Sequence, residues 1–396
     1  MATITPLFKN NTREMQEYKR KLFRHRAKQG VQLLVCAAVV LGAIFGIRLF
    51  WQSRTYTSYE VIASAKRSDT LNTRYAEYHG RLLKYSRDGI ACVNSENEAV
   101  WSYTYNMQQP VLDICQNTVA VADRQGNEVY VFGTEGFQTR ITTLLPLQQV
   151  SVSARGVIAL LLHDSSASWI YLYDKEGKKL AESRCSLEET GQPLSIAISS
   201  DGTKLAVSYL QIQNGAAGSC VTFYNFGPVG GNFVDKIVAS KVYEGRIIPR
   251  VKYLDDSICV AVSDGGITYY EGKEIPEEKA AVTEEDEVHS LFFGEKTVGL
   301  VVENADKNSS KYEVHVYNRT GELILKQRTD LAYSQVKLSG SDLILFSENA
   351  CEIYSKQGVL RYAGTFDGSV TDIYKGTGSR KYTVLFSDRT EEIKLL

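Results

Sequence analysis

The chain has 396 residues, 43% of them hydrophobic, and a net charge of −1 from 45 Lys or Arg against 46 Asp or Glu, which supplies a sizeable core and excludes an intrinsically disordered chain. Residues 1–30 hold eight Lys or Arg against Glu14 and Glu17, and Arg48 adds one more cation, so residues 52–396 are left with −8. An acidic bulk excludes nucleic acid as the expected partner, because phosphate binding needs clustered cations.

From Asn11 to Gln29 the pattern is helical, with Met15, Tyr18 and Leu22 on one face and cations elsewhere. An apolar run, VQLLVCAAVVLGAIFGIRLFW over 31–51, follows and is interrupted only by Gln32 and Arg48. About twenty residues rising ~1.5 Å each span roughly 30 Å, the hydrocarbon thickness of a bilayer. The run therefore predicts a single-pass transmembrane helix over 31–51. The basic segment 1–30 is then cytoplasmic, and residues 52–396 form an extracytoplasmic domain of a cell-membrane protein. A core helix is disfavoured because the stretch is apolar all round. A cleaved signal peptide is disfavoured because Trp51-Gln52-Ser53-Arg54-Thr55 offers no small-x-small cleavage site. Cys36 lies inside the run, which argues against a lipoprotein signal.

Beyond the run the texture changes to β-type stretches of four to eight residues, and a hairpin recurs. An apolar-aromatic strand, a polar turn closing on Gly and a more polar strand appear in EVYVFGTEGFQTRITT (128–143), WIYLYDKEGKKLAESR (169–184) and EVHVYNRTGELILKQRT (313–329). Upstream of each hairpin come a short strand (PVLDIC, VSVS, PRVKYL) and a continuously apolar one (TVAVAD, GVIALLLHD, ICVAVSD). Four strands repeating every ~40 residues is the pattern of a β-propeller blade. The apolar second strand suits a position covered on both faces, and the polar fourth suits the outer rim. First strands start near Arg74, Pro110, Val150, Leu194, Pro249, Val288, Ser334 and Val370. The expected fold is all-β, an eight-bladed propeller with seven blades as the alternative, behind the N-terminal transmembrane helix. The last blade ends after EEIKLL, its third strand, so residues 55–67 are the expected ring-closing fourth strand. A β-sandwich pair or a β-helix suits the four-strand alternation less well.

Two stretches carry a specific resemblance: TYTSYEVIASAKRSD (55–69) and YHGRLLKYSRDGIACVNSENEAVWSYTYNMQQP (78–110). They resemble the opening of a domain-of-unknown-function family of single-pass membrane proteins from Gram-positive bacteria. The resemblance implies a membrane-anchored propeller at the bacterial cell surface and carries no assigned activity. IAISSDGTKLAVS (196–208) is similar to the blade signature of WD40-like and TolB-type propellers. VNSENEAVW (93–101) is similar to the pyrroloquinoline-quinone-type repeat, which is also found in a non-catalytic outer-membrane assembly scaffold. Trp101 has no counterpart in the other blades and no tandem-cysteine quinone site is present, so both are fold signals only.

Chemistry is sparse. His25, His79, His163, His289 and His315 are scattered, and the pair His163-Asp164 reads as a strand-end turn. No HExxH, G-x-S-x-G or P-loop occurs. The glycine patches 215–218 and 227–231 read as hairpin loops, since no helix start follows them to make a phosphate cradle. The acidic runs 277–278 and 284–287 read as solvated loops rather than a cation site. Cys92, Cys115, Cys185, Cys220, Cys259 and Cys351 stand singly in mostly apolar contexts, which favours buried thiols over disulfides. No catalytic, cofactor-binding or metal-binding residue and no cofactor is assigned.

Insertions at Gln211–Gly218 and Asn304–Lys311 are expected to project from one rim, where partners dock on rigid rings. The expected function is that of a non-catalytic protein-interaction scaffold in the cell envelope, with another envelope protein as partner. A glycan or small-ligand receptor using funnel Tyr and Trp is the first alternative. A hydrolase or lyase with dispersed funnel carboxylates is the second.

Overall fold

The computed structural model describes residues 12–52, 54–67, 72–94, 97–186, 188, 190–213, 215–304 and 309–396. The chain divides into two units, Met1–Thr55 and Tyr56–Leu396.

The second unit is an eight-bladed propeller built of eight four-stranded sheets. First strands begin at Arg74, Pro110, Leu147, Gln192, Arg250, Glu287, Gln335 and Val370, and the blades are numbered 1 to 8 in that order. Blade 8 draws its fourth strand from the start of the unit. Tyr59–Lys66 pairs antiparallel with Arg389–Leu395, from Tyr59 opposite Leu395 to Lys66 opposite Arg389. That pairing ties the two ends of the unit together and covers an edge that would otherwise be open. Tyr59 packs edge-on against Tyr362 at 6.2 Å and against Phe366 at 5.2 Å, which fixes the closing strand on blade 7.

The burial pattern explains the strand texture. The second strand of blade 3, Ile158–His163, is buried except for its last residue. Its alternating side chains serve two interfaces: Ile158, Leu160 and Leu162 pack with Val129 and Val131 of blade 2, while Ala159 and Leu161 pack with Ile196 and Val207 of blade 4. A strand covered on both faces has to be apolar at every position. The fourth strand, Lys179–Cys185, is mostly exposed and therefore polar. Burying each such aliphatic side chain contributes about 1.5–3 kcal/mol, so the blade interfaces carry most of the stabilisation.

Inner strands bear one edge that no strand covers, and side chains of neighbouring blades satisfy it. Asp113 accepts from the Val152 N–H at 2.8 Å, Gln149 from Ile196 at 3.0 Å, Ser195 from Val251 at 3.2 Å and Ser339 from Lys375 at 2.7 Å. These links set the spacing of the strands that line the channel.

One expectation is corrected. The anchor over 31–51, with a cytoplasmic N-terminus and an extracytoplasmic propeller, fails because no helix among the described residues is long and apolar enough to cross a membrane. Residues 12–52 form a single 41-residue helix, Thr12–Gln52, whose first half carries Lys19, Arg20, Lys21 and Lys28. Several positions of 31–51 lie outside the described side chains.

Candidate functional site

Every first strand enters the channel from the same face, so the turns between second and third strands and the links between blades share that face. The insertions at Gln211–Gly218 and Asn304–Lys311 both fall in such second-to-third-strand connections, in blades 4 and 6. Asn214 and residues 305–308 lie outside the described residues. Strand direction therefore assigns both insertions to the rim where the channel opens.

At that opening a cavity of about 620 Å³ is lined by the starts of the first strands of blades 1 to 5. Arg74, Asp113, Gln149, Gln192 and Arg250 face it, with Arg124 and His163 contributed by second-strand ends. An adjoining cavity of about 460 Å³ over blades 1 and 2 shares Arg74 and Arg124 and adds Arg87, Asn72, Gln108 and Gln109. Arg74, Arg87, Arg124 and Arg250 are exposed, and among the described residues no carboxylate lies within 4.0 Å of their guanidinium groups. Asp113 is the one carboxylate among the residues lining the larger cavity, and it is engaged. Its Oδ1 accepts from Lys252 Nζ at 3.1 Å, a link from blade 2 to blade 5, while its Oδ2 holds the Val152 N–H.

The turns that carry these arginines are held by backbone hydrogen bonds. Met107 N–H donates to the Arg87 carbonyl at 2.8 Å, Tyr105 N–H to the Asp88 carbonyl at 3.1 Å, and Arg124 N–H to the Gln109 carbonyl at 2.9 Å. Buried Asp123 accepts from the N–H groups of Gln108 and Gln109 at 2.9 and 2.8 Å, so its charge is directed at that loop. Tyr105 and Met107 of the same loop are buried. The guanidinium groups thus project from a rigid base, the arrangement that lowers the entropic cost of binding an anion.

His163 lies in the mouth with Nδ1 3.1 Å from Ser168 Oγ, which also accepts from Gln192 Nε2 at 3.3 Å. Asp164 serves a turn. It accepts the N–H groups of Ser166 and Ala167 and the indole N–H of Trp169 at 3.1 Å, and the backbone donors hold its carboxyl below the usual range. Tyr85 and the His163 imidazole are the aromatic rings lining the larger cavity. Trp101 stacks on Phe132 at 5.3 Å between blades 1 and 2. The glycine patches sit at hairpin ends of blade 4, where Gly230 is needed because a Cβ would meet the Asn225 carbonyl at 1.7 Å.

A second charged cluster, between blades 5 and 6, involves residues that the sequence left apart. His315 Nε2 lies 2.7 Å from Glu313 and its Nδ1 3.0 Å from Glu284, which also accepts from Tyr317 Oη at 2.5 Å. Arg328 donates to Glu313 at 2.9 Å, and Lys326 pairs with it. Burial pushes the His315 imidazole down, but the flanking carboxylates outweigh it and hold it above its ordinary value. Burial likewise opposes the Glu313 carboxylate, yet Lys326, His315 and Arg328 bring it down to about 2. Glu284, expected in a solvated loop, has a side chain only 7% exposed and accepts from this cluster. Of the propeller cysteines, five are buried and Cys115 is half-buried, all as free thiols, and burial pushes the Cys259 thiol well up.

The fold matches solved structures at low identity. Sqt1 of Saccharomyces cerevisiae aligns at 10% identity over 87% of this chain and 99% of its own, with a TM-score of 0.52. A eukaryotic initiation factor aligns at 12% identity over 86% and 88%, also at 0.52. BamB from Moraxella catarrhalis aligns at 12% over 85% and 100%, at 0.49. These likenesses bear on the fold alone. No curated protein matches the sequence. The model of the family of unknown function DUF5711 matches residues 52–395, and the chain belongs to that family.

Proposed function

We propose that the propeller is a non-catalytic protein-interaction module that seats an acidic segment of a partner protein in its channel mouth. One observation carries the reading: among the described residues, the exposed guanidinium groups of Arg74, Arg87, Arg124 and Arg250 meet no carboxylate within 4.0 Å and line two adjoining polar cavities at the channel mouth, in a domain whose net charge is −8. Where a surface leaves its cations unpaired against the overall sign of the domain, those cations are available to an anion. Arginine forks favour planar, bidentate carboxylate recognition over a diffuse charge. The rim insertions of blades 4 and 6 supply further contact area on the same face. A hydrolytic reading is less well supported, because the carboxylate in the mouth is bound to Lys252 and the Val152 N–H rather than paired with a second acid.

Fluorescence anisotropy of the full chain with a labelled oligoglutamate peptide tests this. Binding is expected to weaken steeply between low and physiological salt and to be lost in the double variant Arg87→Glu, Arg124→Glu. Equal binding by that variant and the native chain overturns the proposal.

A further inference from the structure

We propose, building on the reading of the mouth as an anion-binding face, that Arg74, Arg87 and Arg124 form a subsite for a phosphorylated side chain of the partner. The three line the same cavity of about 460 Å³, together with Asn72, Gln108 and Gln109. A carboxylate is a monoanion that one guanidinium group neutralises. A phosphomonoester carries about −1.5 to −2 charge near neutral pH and three acceptor oxygens. Three arginines converging from separate elements exceed what a single carboxylate uses and match the charge and acceptor count of a phosphate.

Among the described residues, no carboxylate lies within 4.0 Å of the cluster. Asp123, at the base of the Arg124 turn, spends Oδ1 on the Gln108 and Gln109 N–H groups. Asp88 follows Arg87 and is exposed in the turn, and its carboxylate makes no ion pair within 4.0 Å of the three arginines. The placement is also fixed. Arg87 and Arg124 flank the 105–110 loop from opposite sides, each bonded to it through its own backbone, and Arg74 opens the inner strand beside it. The three side chains therefore start from strand and turn backbone that is hydrogen-bonded in place. Side-chain amides of Asn72 and Gln109 add neutral donors, which suit a ligand with more acceptor oxygens than cations can fill.

The test is calorimetric titration of the full chain with four probes: a short acidic peptide carrying one phosphoserine, its serine form, its glutamate form, and a single-stranded oligouridylate. The phosphoserine peptide is expected to bind about tenfold more tightly than the glutamate form. That margin is expected to disappear in Arg124→Gln, with unfolding curves showing that the variant folds. Equal affinity for the phosphoserine and glutamate peptides overturns the phosphate subsite and leaves the acidic-segment reading standing. Failure of both peptides to bind overturns both. Tighter binding of the oligouridylate than of the phosphoserine peptide also overturns the subsite, since the cations would then be serving a nucleic-acid backbone.

Discussion

Between blades 5 and 6, His315 sits with a carboxylate on each ring nitrogen, and Glu313 is further held by Arg328 and Lys326. In the channel of blades 7 and 8, Lys337 pairs with Asp372, and nearby Lys375 pairs with Asp342 at 2.6 Å. Over blades 1 and 2 the pattern reverses: Arg87 and Arg124 are exposed and meet no carboxylate within 4.0 Å among the described residues. The difference separates two uses of charge in one ring. A buried ion cluster is internally neutralised and fixes neighbouring blades in register, whereas exposed cations on a pinned backbone keep their field directed at solvent.

The comparison can be broken from either side. Removing a carboxylate from the closed cluster has the largest expected effect. Glu313→Ala leaves His315, Lys326 and Arg328 without their shared partner, and urea unfolding should report a loss of about 3 kcal/mol. A loss no larger than that of a surface substitution contradicts the structural role given to the cluster. Next comes Lys337→Met, which leaves Asp372 unpaired in the channel; a loss of about 2 kcal/mol is expected from the same measurement.

The pH response of the closed cluster follows from its two directions. His315 is raised in the folded state, so its contribution is fully present below the ordinary imidazole value and is lost as pH rises through the raised one. Glu313 is lowered to about 2, so its contribution is present above the ordinary carboxylate value and is lost as pH falls toward 2. Thermal unfolding followed from pH 5 to 9 should therefore show the native chain declining on the alkaline side and His315→Gln declining less. Parallel curves would break the assignment. Smallest of all, Arg124→Ala should change stability by no more than about 0.5 kcal/mol while removing anion binding. A large stability loss would place Arg124 with the structural charges and end the contrast.

The blade architecture was legible in the sequence because burial on two faces imposes continuous apolar strands and the rim imposes polar ones. Arg74, Pro110 and Val370 mark strand starts both in the sequence pattern and in the structure. Where the two differ, β-bulges explain most of it. Blade 3 begins at Leu147 rather than near Val150, and blade 4 at Gln192 rather than near Leu194. In both, the register shifts after the first residues, at Leu147/Gln149 and at Pro193/Ser195. A bulge breaks the alternation, so periodicity detects only the strand beyond it. The mouth was not legible for a different reason. Arg74, Arg87, Arg124 and Arg250 lie far apart in sequence, and each alone reads as a solvated turn or strand-end cation. Only the shared direction of the first strands brings them to one opening. The His315 cluster was hidden likewise, since Glu284 belongs to one blade's exit and His315 to the next blade's third strand. For the amino-terminal helix, the apolar composition over 31–51 predicts a membrane span, whereas no helix among the described residues is long and apolar enough to cross a membrane.

Hydrogen–deuterium exchange of the full chain with and without a saturating acidic peptide tests the docking face most directly. Slowed exchange is expected in residues 84–89, 105–110 and 123–127, the backbone that carries Arg87 and Arg124. Protection confined to the third-to-fourth-strand turns on the opposite rim, with the arginine turns unchanged, would contradict the account.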